Sequence, residues 1–322
     1  MRKKIIALMI SIICLMSVFS LSACKDLYEY EYYEFGLYPQ SRMKNEVSVL
    51  VEEGQNDKGY YTGSDGGLYY VVRKEFYDSC CTCCNCCNCG KKEYEDHKED
   101  CATKQGHGED CATKQGHGKN QIAQCCKKIY DHYSFYKAEP IKWKIFSKES
   151  GQLFLFCDLI IDCKIFDREE NGYDKSEIRE WLNEDFYDFA FSDAEKVKVL
   201  QTSIDNSILS TGEEENPYVC KDTKDKVFLL SYEEATNSSY GMDRGTSREI
   251  MVTDFASDAG VNSRGDKGTG WWWLRSPSKH VSAHNGVVNA KCVFDNGAIN
   301  ADNVNKRMFG VVPAIKITAE EL

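Results

Sequence analysis

Proline is scarce, with five in 322 residues, and beyond residue 4 no run of Lys and Arg exceeds two. Few prolines beside many Tyr and Phe argue against a disordered chain and for a mixed α and β globule. Forty basic against 51 acidic side chains leave a formal charge of -11, which excludes a broad nucleic-acid or polybasic membrane contact. After residue 21 no run of about 18 apolar residues occurs, so no later segment is expected to cross a bilayer as a helix. Gly-x-Ser-x-Gly, His-Glu-x-x-His and a phosphate-cradling Gly loop are all absent. Acids are plentiful, yet no two stand out as a pair for glycoside hydrolysis, and His280 and His284 fall in an expected loop after Pro277. No catalytic residue is assigned, and the chain is expected not to be an enzyme.

The front end carries the strongest single signal. Arg2, Lys3 and Lys4 precede an apolar run from Ile5 to Leu21, followed by Ser22, Ala23 and Cys24. A basic start, a short apolar stretch and small residues before a cut site describe an export signal over 1–23. Leu-Ser-Ala-Cys resembles the bacterial lipobox, which implies that Cys24 becomes the mature N-terminus and carries acyl chains, palmitate among them. Each buried CH₂ contributes about 0.8 kcal/mol, so two or three chains anchor stably where one does not. The expected location is the extracytoplasmic face of the cell membrane, with residues 24–34 as a Glu- and Tyr-rich tether. Losing residues 1–23 removes three cations and no acids, so the mature form is more acidic still.

Cysteine is abundant, 17 in all. Once Cys14 leaves with the signal and Cys24 takes lipid, an odd number remains, so at least one thiol has no internal partner. Seven crowd together as Cys80, Cys81, Cys83, Cys84, Cys86, Cys87 and Cys89, and Cys101, Cys111, Cys125 and Cys126 follow. The decamer Glu-Asp-Cys-Ala-Thr-Lys-Gln-Gly-His-Gly occurs at 99–108 and again at 109–118. It has no apolar periodicity and cannot bury a face, so 79–131 reads as an insertion in a surface loop. Three readings of it stand side by side. Closely spaced thiolates with His97, His107 and His117 suit Zn or Cu. Disulfides would staple the loop, although adjacent cysteines pair poorly with each other. The third is a repeat-expanded loop with no selected role.

Order is expected on both sides. Residues 35–40 look like a turn feeding a strand, and 68–73 follow Gly66-Gly67 as a strand after a hairpin turn. Ile141, Trp143 and Ile145 alternate with Lys142, Lys144 and Phe146, and the apolar run 153–157 follows Ser150-Gly151, which predicts a hairpin. Asp174 with Glu177 forms a capping-box pattern before a helix over 175–188, with Ile178, Trp181, Leu182 and Phe186 at helical spacing. Ser192 with Glu195, and Ser231 with Glu234, repeat that pattern before two short helices, the first carrying Val197, Val199 and Leu200. Strands are expected at 227–230, 271–274, 287–294 and 311–317. Strands at both ends with helices between them predict a single α+β, mostly antiparallel domain with a Cys-rich loop insertion.

The motifs FGLYPQ (35–40), EPIKWKIF (139–146), SEIREWLNEDFYDFAFSDAEK (176–196), DKVFLLSYEEA (225–235), GWWWLRSP (270–277) and GVVPAIKI (310–317) occur in this order. Together they resemble the DUF6273 family, whose members are often secreted or lipid-anchored, over most of residues 35–317. That family usually has Arg where this chain has Val312. The Trp-rich strand and the Val-x-Pro-Ala ending are also similar to the formylglycine-generating branch of C-type-lectin-like folds. Glu-Pro-Asn, Gln-Pro-Asp and Trp-Asn-Asp are absent, so a calcium-dependent sugar site finds no matching residues, and Cys292 has no near thiol for a copper pair.

On a strand Trp271 and Trp273 share one face and Trp272 takes the other. Two roles follow for them. They pack the core while Arg275 satisfies a buried carboxylate or carbonyl, or Trp271, Trp273 and Arg275 form a platform for a glycan or protein ligand. The expected function is therefore a lipid-anchored, lectin-like extracellular binding module without a cofactor. The alternative is Zn or Cu capture by 80–126, and a weaker one is an enzyme of unknown type.

Overall fold

The computed structural model describes residues 28–77, 128–264, 266–282 and 286–319. The signal region, Cys24, the Cys-rich run from Cys80 to Cys89, His107, His117 and His284 lie outside the described residues. The described chain is mixed α and β, dominated by strands, with few and short helices. It divides into two compact units where one had been expected. The first takes Gly36 and the described residues before it, Pro140–Val252, and the chain from Ala259; the second takes Leu37–Glu139 and Thr253–Asp258. The division falls inside two strands, Tyr32–Arg42 and Lys128–Glu149.

In the first unit, Val227–Phe228, Ala314–Thr318, Gln152–Cys157 and the later half of Lys128–Glu149 lie side by side, all antiparallel. Ser150 (φ 53°) and Gly151 (φ 71°) turn the hairpin with two left-handed residues, the conformation that matches strand twist. A bulge between Ile145 and Ser147 breaks the expected alternation: Phe146 is buried and Ile145 half-buried. A second sheet runs Ile299–Asn303, Val288–Val293, Trp272–Val281, Gly310–Val311, Asp162–Cys163, with one parallel pairing at Trp272 and Gly310. Val312 and Pro313 carry the chain from this sheet into the first, as Ala314–Thr318. Pro313 has no N–H to leave unpaired at the crossing, and its carbonyl accepts from Cys157 N at 2.9 Å. Phe156 of the first sheet meets Trp272 of the second at 5.8 Å between ring centres.

The expected helix exists, but it starts later and is not uniform. Tyr173–Lys175 forms a 3₁₀ turn, so the cap is Ser176, which accepts from Arg179 N at 3.4 Å, and not Asp174. Glu177–Trp181 is α, Leu182–Phe186 is π and Tyr187–Ala190 is α again, burying Ile178, Leu182, Phe186 and Tyr187. The capping box at Ser192 is complete, with bonds in both directions to Glu195. The helix it starts lasts only Asp193–Lys196, because Val199 pairs with Ile317 as a bridge and Val197 faces solvent. The box at Ser231 and Glu234 likewise forms both ways.

The tether expected over 24–34 is corrected from Tyr28 onward. Tyr28 Oη donates to Ser239 O at 3.1 Å, Tyr30 Oη to Tyr240 O at 2.9 Å, and strand begins at Tyr32. The motif at 35–40 therefore lies within a strand, and Gly36 is its exception (φ 78°). A Cβ there would meet the Phe191 ring at 2.7 Å, so only Gly lets the two approach.

In the second unit, Leu68–Tyr77 pairs with Tyr61–Thr62 and with the early half of Lys128–Glu149. The turn before it is closed by Gly63 N to Gly67 O at 2.7 Å with Gly66 at φ 76°, as the Gly pair suggested. Tyr136 and Phe255 meet edge-on at 5.2 Å, and Tyr136 Oη donates to Asp258 at 2.6 Å. Pairing runs out to Tyr77 and Lys128, so residues 78–127 leave and rejoin the unit on adjacent strands. Residues 128–131, counted with the insertion from sequence, belong to the strand.

Candidate functional site

The expected ligand platform lies on and beside the strand Trp272–Val281. Trp273 is fully buried, stacked on Phe309 at 4.1 Å, with its indole N–H donating to Lys164 O at 3.0 Å. Trp272 is buried on the other side and donates to Arg248 O at 3.2 Å. Trp271 shares the Phe309 side with Trp273, as period two requires, and is half-buried against Phe294 at 4.3 Å. Arg275 is 3 % exposed; its Nη1 donates to Leu229 O at 2.7 Å and to Glu234 Oε2 at 2.5 Å, and its Nη2 to Asp205 O at 3.2 Å. Ser276 Oγ donates to Ser210 O and accepts from Tyr232 N, both at 2.9 Å, and Pro277 O accepts from Asn216. The Trp-Leu-Arg-Ser-Pro motif is thus an internal brace that ties the segments at 205–216 and 229–234 to the sheet. Trp273 and Arg275 are withdrawn from the surface and present no platform, which corrects that expectation; only Trp271 keeps partial access.

An open polar cleft of about 410 Å³ lies elsewhere in the same unit, between the start of helix Glu177–Trp181 and the strand Thr223–Asp225. Its floor is fixed. Arg179 holds the fully buried Asp225 carboxylate through Nε at 2.8 Å and Nη2 at 2.6 Å, while Nη1 donates to Asp174 O at 2.9 Å. Thr223 Oγ1 donates to the other Asp225 oxygen at 2.7 Å. Burial opposes the Arg179 charge, but the Asp225 bond and charge outweigh it and hold the guanidinium above its ordinary pKa. Removing Arg179 from Asp225 would strand a buried carboxylate, at roughly 3–5 kcal/mol, so this arginine is a fixture rather than a free hand. Asn183 closes the floor, donating to Val227 O at 2.9 Å and accepting from Lys226 N at 2.8 Å.

The rim is where solvent-facing charge stands. Lys175 and Lys224 are exposed, and Lys226 lies over the Tyr187 ring at 4.0 Å. Glu180, Glu184 and Gln201 complete the lining. In a chain of charge -11, three rim lysines outnumber the two exposed rim carboxylates, Glu180 and Glu184, and leave a modest local cationic excess suited to carboxylate or phosphate groups. Sequence reading passed over these residues. The signal is Lys224-Asp225: on the strand Thr223–Asp225 the acid points inward and Lys224 outward, and Lys226 follows at the bend.

The four thiols of the described body are free. Cys157 and Cys292 are buried, Cys163 and Cys220 half-buried. Burial pushes the Cys157 thiol up to about 12. Among the described residues no three Cys, His, Asp or Glu converge as a metal site, and no helix is long and apolar enough to cross a membrane.

A protein-family model described as a domain of unknown function (DUF6273) matches residues 150–319. The match begins well after residue 35, where the resemblance was first read, and includes every cleft residue and the brace. No curated protein and no solved structure matches the chain.

Proposed function

The chain belongs to the DUF6273 family, and from that premise we propose that it is a lipid-anchored, non-enzymatic cell-surface module that binds an anionic glycan in the cleft above Arg179. The observation that carries this reading is the arrangement at Lys175, Lys224 and Lys226: three cations against two carboxylates, Glu180 and Glu184, above a rigid polar floor in a net acidic molecule. Repeated carboxylate or phosphate groups along a surface polymer answer such an array, and an acidic segment of a surface protein is the competing ligand of the same chemistry. The Arg179–Asp225 pair and the Asn183 bonds supply the rigidity that keeps the cleft formed. The C-type-lectin-like likeness and the anchor at Cys24 belong to this reading; the leader and its Leu-Ser-Ala-Cys end support the anchor.

The test is a glycan and surface-protein array probed with the soluble ectodomain from residue 25 onward. Retention on carboxylated or phosphorylated glycans, weakened by salt, supports the reading. Retention only on neutral sugars removes the cleft from it.

A second reading is Zn or Cu capture by Cys80 to Cys126 and the nearby histidines, whose closely spaced thiols and imidazoles in the sequence suit such metals. Metal content of the whole protein, with and without residues 79–127, decides it.

A further inference from the structure

The chain that leaves the proposed lipid attachment residue is fastened to the body almost at once. Four peptide units join Cys24 to Tyr28, and an extended chain covers at most about 3.6 Å per residue, so the two Cα atoms lie within about 14 Å. Tyr28 is then held by its hydroxyl on Ser239 O at 3.1 Å and by its ring against Tyr30 at 4.7 Å. Gly241 (φ 67°) passes directly beneath; a Cβ there would meet Tyr28 Cγ at 2.4 Å. Tyr30 Oη donates to Tyr240 O, and Glu31 O accepts from Ile145 N at 2.9 Å. The segment is pinned at successive residues, yet Tyr28 and Tyr32 each remain 45 % exposed.

We infer that the face of this unit bearing Tyr28, Tyr32, Ser239 and Lys142 lies against the bilayer surface, with the two exposed rings at headgroup level. This rests on the anchor at Cys24. With acyl chains in the hydrocarbon core, the Cys24 backbone sits in the headgroup layer, about 5–8 Å thick on each side. A reach of about 14 Å from there leaves Tyr28 within or just outside that layer. Tyrosine suits the position, since its ring favours the apolar side and its hydroxyl the wet side. The nearby lysines have acidic partners: Lys142 and Lys144 share Asp158 at 3.7 and 3.2 Å, and Lys148 pairs with Glu31 at 2.6 Å, while Asp243, Glu233 and Glu149 add negative charge around Tyr30 and Tyr240. Lys142 Nζ also lies 3.7 Å from the Tyr32 ring centre. The contact rests on the acyl chains and the two exposed rings rather than on charge, so it needs no anionic lipid and should hold in low and in high salt.

The experiment uses the full lipidated protein in phosphatidylcholine vesicles doped with a lipid carrying a photoreactive diazirine on its headgroup. After flotation and illumination, cross-linked peptides are identified by mass spectrometry, in low and in high salt. Tyr28 is close to the anchor in any case, so the deciding sites are Ser239 and Lys142, distant in sequence. The expected result is cross-linking at both, in either salt, with none at the exposed Val197 and Leu209 of the same unit. Floating protein with cross-links spread evenly, or confined to the peptide next to Cys24, overturns the inference while leaving the anchor intact. Protein that does not float overturns both.

Discussion

Arg275 and Glu234 form an ion pair at 2.5 Å in which the guanidinium is 3 % exposed and also donates to the carbonyls of Leu229 and Asp205. Glu234 simultaneously accepts from Ser231 N at 2.8 Å, closing the capping box of its own turn. One arginine thus locks a helix cap, a strand end and a loop together. Arg275→Ala is expected to destabilise the protein by about 3 kcal/mol, since a partly buried carboxylate loses its partner. Denaturant midpoints measure this; a change below about 0.5 kcal/mol would show that the brace is not structural.

Trp273→Ala removes a fully buried ring stacked on Phe309 and is expected to cost about 3–5 kcal/mol. Trp271→Ala, half-buried, is expected to cost less and to leave ligand affinity unchanged at temperatures where the variant stays folded. Thermal melts beside binding isotherms separate the two effects. Lost binding with an intact melt would return Trp271 to the ligand site.

Gly36→Ala tests why a glycine interrupts the strand Tyr32–Arg42. Its φ of 78° costs an L-residue about 1–2 kcal/mol, and the new Cβ would press on Phe191 at 2.7 Å and Ala190 O at 3.0 Å. A loss of at least about 2 kcal/mol is expected from urea unfolding. A neutral substitution would show that Phe191 moves aside freely.

Asp65 in the second unit accepts from Gly67 N at 3.0 Å, Lys137 Nζ at 3.1 Å and Tyr69 Oη at 3.0 Å, which together lower its pKa to about 2. A folded value below the unfolded one of about 3.9 means the carboxylate favours the fold above pH 4. That contribution fades as pH falls toward 2. NMR titration of the Asp65 carboxyl should give a midpoint near 2, and Asp65→Asn should remove this part of the acid sensitivity. A midpoint near 4 would contradict the turn geometry.

Burial raises the Cys157 thiol to about 12 and sets Cys292 well above the usual thiol value. At pH 8 iodoacetamide is expected to leave both unmodified in the folded protein, because the thiolate is the reacting form. Mass spectrometry of tryptic peptides reads the result. Rapid alkylation of Cys157 without unfolding would mean that its strand opens.

Much of the fold was legible because local chemistry and tertiary packing agree. The capping boxes at Ser192 and Ser231, the Gly66 turn and the Ser150-Gly151 hairpin follow from residues within four positions of one another. The failures share a cause. Phe146 turns inward because of a bulge that no alternation reveals, and Asp174 yields the cap to Ser176 because a 3₁₀ turn precedes it. Residues 28–34 read as a polar tether until the Tyr hydroxyls found carbonyls some 210 residues away in sequence. The site was least legible. Large aromatics beside an arginine suit a core or a ligand platform equally in sequence, and here they pack inward, while the open cleft is lined by lysines, glutamates and amides that look in sequence like ordinary surface.

The central claim, a cationic cleft that holds an anionic glycan, is tested most directly by titrating a carboxylated or phosphorylated polysaccharide into the wild type and into the Lys175→Glu, Lys224→Glu double variant. Both side chains are exposed, so the melting temperature should not move. An affinity weaker by about tenfold or more is expected for the double variant at low ionic strength. Equal binding by the two proteins would contradict it.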